Sequence, residues 1–440
     1  MKKKDKPTSD FRYDTGETKV PWAAVGEDLN ADDLVRIIRF FVQPQAEDDA
    51  AYSERLERVR AALEDLFAAG KPVGKLTLGD RVKALESWAA GYLGVSYACF
   101  VTNATAGFEI AYKFAALQAD DEIICPAITF IATIAYPLSI GAKVVFADVD
   151  PRTINLDPAD VERKITDRTR VIVPVHVGGY PVDMDPIMEL VRPRGITVLE
   201  DAAHAFGGKY RGRKVGTLGH FGAFSFHEVK NTTSLGEGGL LVTDLDVGAK
   251  FAQARFLGLD PSRQIPDWLY DVVALPDLRG GWFAAGNHSA TEVQAVALLS
   301  QLERLDSIIA ARRTAAEYLN QRFADVDGIV TPPLDTADTR STHHLYLLQL
   351  DPARAGGDVQ ELKKRLAARG VTQIPHFAPL YEFELLRRMG YSTEEGRRSC
   401  PNAEEVFRHR FTHLPLYGLT QDQVTYLADA VIESVRGMQG

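Results

Sequence analysis

Three residue types in one part of the chain could together run carbanion chemistry on a bound ring. Glu200-Asp201-Ala202-Ala203-His204 places an acid at the end of an apolar run, Ile196 to Leu199. Ala223-Phe224-Ser225-Phe226-His227-Glu228-Val229-Lys230 then brings a serine and a lysine, and Gly236-Glu237-Gly238-Gly239 follows. A pyridine ring that drains electrons from a carbanion must keep its nitrogen protonated, which asks for a carboxylate. Its aldehyde asks for a lysine, with which it forms a Schiff base, and its phosphate asks for hydroxyls and bare amides. Asp201, Lys230 and Ser225 can supply those three parts, so the arrangement suits pyridoxal phosphate. Taken singly, each has a plainer reading: a strand-end cap, a solvated loop charge, a turn. Only their order and spacing together favour the chemical one.

The surrounding pattern says what must hold these residues. Ala98 to Val101, Glu122 to Cys125, Lys143 to Phe146, Val171 to Val175, Thr197 to Leu199 and Gly222 to Phe226 are short apolar runs, with segments of helical spacing among them. Apolar strands joined by helices predict an α/β fold with a mainly parallel sheet between helices and ligands beyond its carboxyl ends. Gly239 to Thr243 reads as a further strand of undetermined direction. Thr102-Asn103-Ala104-Thr105-Ala106-Gly107 opens a helix after a strand, where small residues let amides approach a phosphate; Thr105 as a simple N-cap is the alternative. Phe130 follows a strand end and is either a ring partner or core. His204 is either a hydrogen-bond donor to a bound ligand or a buried structural imidazole.

Composition bounds the rest. A chain of 440 residues, 45% hydrophobic and 25% charged, with net charge −10, is long enough for one large domain and a smaller one. The acidic balance argues against nucleic acid, since no basic patch follows the Lys2-Lys3-Lys4 start. No apolar run is long enough to span a bilayer and no signal-type core follows those lysines, so no membrane association and a cytoplasmic location are expected. Cys99, Cys125 and Cys400 are too few and scattered for a disulfide framework or a metal site.

Residues 1–78 read as an N-terminal arm plus extra helices, 79–310 as the large cofactor-binding domain, and 311–440 as a small C-terminal α+β domain. Asn30 caps a first helix with Leu34, Ile37, Ile38 and Phe41 as its stripe, and a second helix carries Leu56, Val59, Leu63, Leu66 and Phe67 and stops at Gly70. Arg81 to Gly91 predicts a third. Residues 260–285 form a turn-rich, aromatic loop of the kind that rims functional sites. Thr291 to Phe323 predicts one long helix. His344 to Leu350 and Val371 to Ile374 predict strands; Val359 to Arg369, Ala403 to Arg410 and Gln421 to Val435 predict helices.

Glu-Asp-Ala-Ala-His at 200–204, Phe-Ser-Phe-His-Glu-x-Lys-Asn at 224–231 and Gly-Glu-Gly-Gly at 236–239 resemble, in identity and order, the DegT/StrS-type sugar aminotransferases, which are fold-type I pyridoxal phosphate enzymes with a seven-stranded-type sheet. The resemblance implies that Lys230 forms the Schiff base and Asp201 holds the ring nitrogen, that Thr105 and Ala106 contact the phosphate, and that Phe130 stacks on the ring. His176, followed by Gly178-Gly179, resembles a turn below the cofactor and stays outside the catalytic set. Gly286-Asn287-His288 matches a motif whose asparagine reaches the partner's phosphate, which implies a homodimer with shared sites. Ser289 stands two places on, where the family usually has an arginine or other polar residue, which puts in doubt a substrate contact from that position. His376-Phe377-Ala378-Pro379-Leu380-Tyr381 resembles the substrate-side segment with two rings exchanged, so His376 and Tyr381 become candidate substrate contacts.

Lys230 argues against the dehydrating branch, which has histidine at that place. The implied donor is glutamate or glutamine. Three acceptor classes are open: nucleotide-linked keto-sugars, keto-cyclitols or keto-sugar phosphates, and aromatizing amino-hydroxybenzoate precursors. The extended lead before Gly79 and the 260–285 loop favour a keto-cyclitol, keto-sugar or keto-sugar phosphate, in amino-sugar or antibiotic-type biosynthesis, over a nucleotide-linked keto-sugar. Arg263 or Arg279 would then bind an acidic group. The rival of another class is a non-catalytic cofactor-binding sensor or regulatory protein, which the retained lysine and acid disfavour.

Overall fold

The computed structural model describes residues 29–45, 49–70, 75–263, 265–266, 270–373 and 377–440. The central sheet is built from β1 (Tyr97–Val101), β2 (Glu122–Pro126), β3 (Lys143–Ala147), β4 (Thr169–Ile172), β5 (Thr197–Asp201), β6 (Phe221–Ser225) and β7 (Gly239–Thr243), in the order β1-β7-β6-β5-β4-β2-β3. The pairings among β6, β5, β4, β2 and β3 are parallel, whereas β7 is antiparallel to both β1 and β6. No helix intervenes between β6 and β7. A parallel return needs a crossover, so this connection reverses the strand. The strands are largely apolar because helices cover both faces: β2, β5 and β7 are buried at every residue.

α3 (Asp80–Leu93) leads into β1, and α4 (Ala104–Phe114) leaves it. α4 lies hard against the sheet: a Cβ on Gly107 would stand 3.4 Å from the Ala223 Cβ, and one on Gly239 only 2.3 Å from the Asn103 carbonyl carbon. Glycine at 239 is what lets β7 pass directly beneath the start of α4.

A second, smaller α+β body follows. Ile329–Val330, Tyr346–Leu350 and Phe411–Leu414 form an antiparallel sheet, with the helices Leu305–Phe323, Val359–Ala368 and Gln421–Gln439 packed around Phe323, Tyr346, Leu348, Leu366 and Val431.

Several sequence expectations change. The strand expected to Val175 ends at Ile172, because Pro174 has no N–H to give the ladder, although Val175 still bridges to Asp201. The long helix from Thr291 is two, Glu292–Leu302 and Leu305–Phe323, and its buried side is Ala295, Leu298 and Leu302, with Val293 53% and Val296 49% exposed. Residues 371–373 are irregular rather than extended, and Ile374 lies outside the described residues. The helix expected over Ala403 to Arg410 starts at Pro401, widens into a π-turn from Val406 and yields to the unforeseen strand Phe411–Leu414. The 260–285 loop is two small hairpins, Leu259–Asp260 with Asp271–Val272 and Leu275–Pro276 with Trp282–Phe283.

Asn30 caps α1 (Ala31–Phe41) through a capping box with Asp33, and α2 (Ala50–Ala69) ends at Gly70. Their apolar stripes are not closed over: Ile37, Phe40, Phe41 and Leu66 are exposed. No helix among the described residues is long and apolar enough to cross a membrane, and no group of three or more metal-ligating side chains occurs among them.

Candidate active site

Asp201 closes β5 at the carboxyl end of the sheet, where parallel folds place their ligands. Its backbone is pinned by Asp201 N–H to Pro174 O at 2.9 Å and His176 N–H to Asp201 O at 3.1 Å. The Thr133 hydroxyl donates to Asp201 Oδ2 at 2.7 Å and the Ala203 amide to Oδ1 at 3.1 Å. The carboxylate is buried. Burial pushes its pKa above the usual carboxylate range, while Thr133, Ala203, Lys230 and His176 pull the other way.

Glu200, one residue earlier, points to the opposite face of the strand. It accepts the amides of Gly216, Leu218 and Gly219 at 2.8, 2.6 and 2.6 Å and sits 3.1 Å from His176 Nε2. Since His176 Nδ1 accepts from the Val182 amide at 3.0 Å, the proton lies on Nε2 and is donated to Glu200. The pair is a wholly buried brace beneath Asp201, and His176 is therefore structural.

Lys230 stands in the loop between β6 and β7. That loop is held by Phe226 N–H to Gly238 O (2.8 Å), Glu228 N–H to Gly236 O (3.0 Å), Lys230 N–H to His227 O (2.9 Å) and Ser234 N–H to Phe226 O (3.0 Å). Gly236 takes φ +112°, a turn conformation that side chains resist. Desolvation lowers the Lys230 pKa to about 8, with Asp201 opposing the fall. The two charges thus act on each other, yet no direct ion pair joins them.

At the β1–α4 junction, Asn103 rather than Thr105 is the N-cap. Its side chain accepts the Ala106 amide at 3.0 Å. Ala106, expected at the phosphate, thus donates its amide to Asn103 and has its methyl buried. The amides of Ala104 and Thr105, in the first turn, meet no acceptor among the described residues and lie at the positive end of the helix. Ser225 ends β6, its Oγ accepting the His227 amide at 3.3 Å. Phe130 is 62% exposed just beyond β2, so its ring is not core.

His204 accepts the Gly178 amide on Nδ1 at 3.3 Å, which leaves its proton on Nε2, and its ring lies 4.5 Å from His344 and 5.6 Å from Phe377. Asn287 is exposed, with Oδ1 accepting the Ser289 amide at 3.1 Å. It runs beside β1, since Thr102 N–H bonds His288 O at 3.1 Å. The Ser289 hydroxyl is buried and turned away from solvent.

The structure takes Tyr381 out of the candidate substrate set and places Arg263 and Arg279 on the 260–285 loop. Tyr381 is fully buried, its hydroxyl 3.0 Å from Glu404 Oε2 and its ring against Phe146; a Cβ on Gly396 would stand 2.4 Å from that ring, so Tyr381 is core. Arg263 is an exposed loop charge paired with Asp271 at 3.3 Å. Arg279 follows Leu278, whose amide bonds Phe114 O at 2.9 Å, at the opposite end of α4 from the free amides. That is about 16 Å along the helix, beyond an arginine's reach to the site of its own subunit. His376 lies outside the described residues. Thr133, Asn231 and His344 join the site through contacts that their own sequence surroundings do not signal, and Asn103 joins it as the local cap of α4. Thr133 sits in the Phe130 segment, but only the packed sheet turns its hydroxyl to Asp201.

These groups fit pyridoxal phosphate. A buried acid with an elevated pKa gains a partner in a protonated pyridine nitrogen, a partly buried amine lies near it without pairing, an exposed aromatic stands beside them, and free helix amides await a phosphate.

Comparison with known proteins agrees. The chain is 36% identical to GDP-perosamine synthase of Caulobacter vibrioides over 69% of this chain and 78% of that protein. It is 35% identical to a putative L-glutamine:3-amino-2,3-dideoxy-scyllo-inosose aminotransferase of Streptoalloteichus tenebrarius over 77% of this chain and 79% of that protein. A putative sugar aminotransferase from Streptococcus pneumoniae, solved in its pyridoxal phosphate form, superposes with a TM-score of 0.74 at 25% identity, covering 83% of this chain and 94% of that one. The profile of the DegT/DnrJ/EryC1/StrS aminotransferase family matches residues 57–432, and the chain belongs to that family of fold-type I, pyridoxal-phosphate-dependent aminotransferases.

Proposed function

We propose that this enzyme moves an amino group from glutamate or glutamine to an uncharged keto-cyclitol or keto-sugar. The observation that carries the reading is the Lys230 amine, held near a pKa of about 8 by burial and facing the buried Asp201 without pairing to it. Bound pyridoxal phosphate supplies an aldehyde for that amine and a ring that accepts the electrons left on the substrate carbon. Asp201, braced by Thr133 and by the Glu200–His176 pair behind it, holds the proton on the ring nitrogen. With the amino donor bound, the Lys230 Nζ is placed to take the proton from the donor's α-carbon and to deliver it, from the same side, to the carbon that had carried the aldehyde. An amine with a pKa near 8 is divided between its two forms near neutrality, which suits both roles. Ala104, Thr105 and Ser225 would hold the phosphate, Phe130 would cover the ring, and His204 would supply a donor to the phenolic oxygen.

The aminoinosose-aminotransferase relative supports a cyclitol acceptor. Arg263 is paired with Asp271 and Arg279 lies a helix length from the free amides of its own subunit, which supports an acceptor without a phosphate. A nucleotide-linked keto-sugar is the second reading, favoured by the perosamine-synthase relative. A homodimer completes the site, with the exposed Asn287 of each subunit reaching its neighbour's phosphate. Loading the protein with the amine form of the cofactor and screening ketones for return of the aldehyde-form absorbance tests the acceptor. Turnover of free cyclitol and sugar ketones is expected; a response to nucleotide-linked ketones alone would replace the first reading with the second.

A further inference from the structure

Lys230 is tied to the smaller α+β body through its neighbour in sequence. Asn231 Nδ2 donates to Thr342 O at 3.0 Å, which fixes the orientation of the amide and turns Oδ1 to His344 Nδ1 at 2.9 Å. An amide oxygen only accepts, so His344 carries a proton on Nδ1. The other side of the same segment holds His204. The His344 ring lies 4.5 Å from the His204 ring, and Thr342 Oγ1 donates to the His204 carbonyl at 2.6 Å.

The segment is seated on the Gly178-Gly179 turn by Thr342 N–H to Gly179 O and Leu345 N–H to Gly178 O, each 3.1 Å. A Cβ on Gly179, which has φ +90°, would stand 2.0 Å from Thr342 Oγ1 and 3.0 Å from His204 O, so the seat exists only with glycine there. His343 at φ +48° and Phe377 at φ +52° adopt backbone conformations that side chains resist, one adjoining His344 and the other packed on His204. Such conformations persist where the surroundings over-determine them and cluster at functional sites.

We propose that Asn231 and His344 are positioning residues for amino transfer: together they fix the reach of the Lys230 amine and the face of His204, and couple both to the segment that enters the smaller sheet. The inference rests on reading Lys230 as the amine that carries the proton. Neither side chain needs to touch substrate. Their effect is on where Nζ stands when displaced, and misplacement of a reacting group by about 1 Å is enough to slow a reaction strongly.

The test compares full-length His344→Phe, which keeps a ring against His204 but loses the donor, with His344→Asn, whose amide restores a donor at the Nδ1 place, and with Asn231→Leu. One readout is the pH dependence of trinitrobenzenesulfonate labelling of Lys230 in the cofactor-free protein, followed by peptide mass. The other is kcat and KM of the loaded enzyme. In His344→Phe and Asn231→Leu the labelling midpoint is expected to rise from about 8 toward the 10.5 of free lysine, with kcat down about ten- to a hundredfold and KM changed by less than about threefold. His344→Asn should stay close to wild type in both. Should Asn231→Leu fail to fold, Asn231→Ala, which loses both amide groups and adds no charge, is expected to move the midpoint the same way. Wild-type labelling and kcat in His344→Phe and the Asn231 variants would overturn the proposal, as would a His344→Asn protein as damaged as His344→Phe. Because labelling reads Lys230 without cofactor, a failure of the transaminase reading would show separately, as a wild-type protein whose loaded form exchanges no amine.

Discussion

At the scale of single residues, the chemistry depends on what burial does to two charges. Lys230→Ala is expected to abolish conversion of glutamate or glutamine to its keto acid, measured by coupled assay, and to leave cofactor bound without the lysine-linked absorbance. The depressed lysine pKa also sets a sign for stability. The folded chain holds fewer protons at Lys230 than the unfolded chain between about 8 and 10.5, so this group's penalty on folding is full below pH 8 and disappears as the pH rises to 10.5. Lys230→Met should therefore raise the thermal midpoint of the cofactor-free protein at pH 7, with the gain shrinking toward pH 10.5. Its upper bound, from the difference between 10.5 and about 8, is on the order of 3 kcal/mol. An equal gain at both pH values would show that Lys230 is not the titrating group. Thr133→Val removes a hydrogen bond that lowers the Asp201 pKa. It should move the acid limb of the kcat profile to higher pH and slow turnover by about tenfold, the worth of one buried bond to a charge.

Elements deliver these residues by close approach. β7 runs under the first turn of α4 because position 239 has no side chain. Gly239→Ala would put a methyl 2.3 Å from the Asn103 carbonyl carbon, so the helix start must lift. We expect a loss of about 3 kcal/mol by denaturant melt together with weaker cofactor retention on dialysis. Asn103→Ala frees the Ala106 amide and loses a cap, which should lower stability by about 1 kcal/mol. A stability loss in Gly239→Ala with cofactor retention unchanged would separate the packing role from the phosphate role. The Glu200–His176 brace acts on the reverse of the same strand, where four hydrogen bonds satisfy one buried carboxylate and keep Asp201 from shifting.

Over the whole molecule, exposed side chains gather on the stretch that carries Asn287. Asn287, Val293, Val296 and Trp282 lie on the 282–296 stretch and are solvent-exposed in the single chain. If each site is completed by a neighbour, then in mixed oligomers of Lys230→Ala and Asn287→Ala subunits one site in each heterodimer carries both intact residues. Partial recovery of activity on mixing, with neither parent active, is the expected result. Additive loss without recovery would mean that Asn287 serves its own subunit.

Residue order alone determined the acid, the lysine, the small-residue helix start and the alternation of strands and helices, because those follow from local propensity and the chemical demands of one cofactor. Asn30 and Gly70 were legible for the same reason, since caps are local. Only the tertiary structure decided the direction of β7, the break after Leu302, and which of several plausible rings and arginines face the site. Tyr381 and Phe130 look alike in sequence, yet one is sealed against Glu404 and the other stands in the open. Nothing along the chain signals that Thr133 reaches Asp201 or that Asn231 reaches His344. Such contacts join residues far apart in sequence, and they exist only after the sheet has closed and burial has fixed their partners.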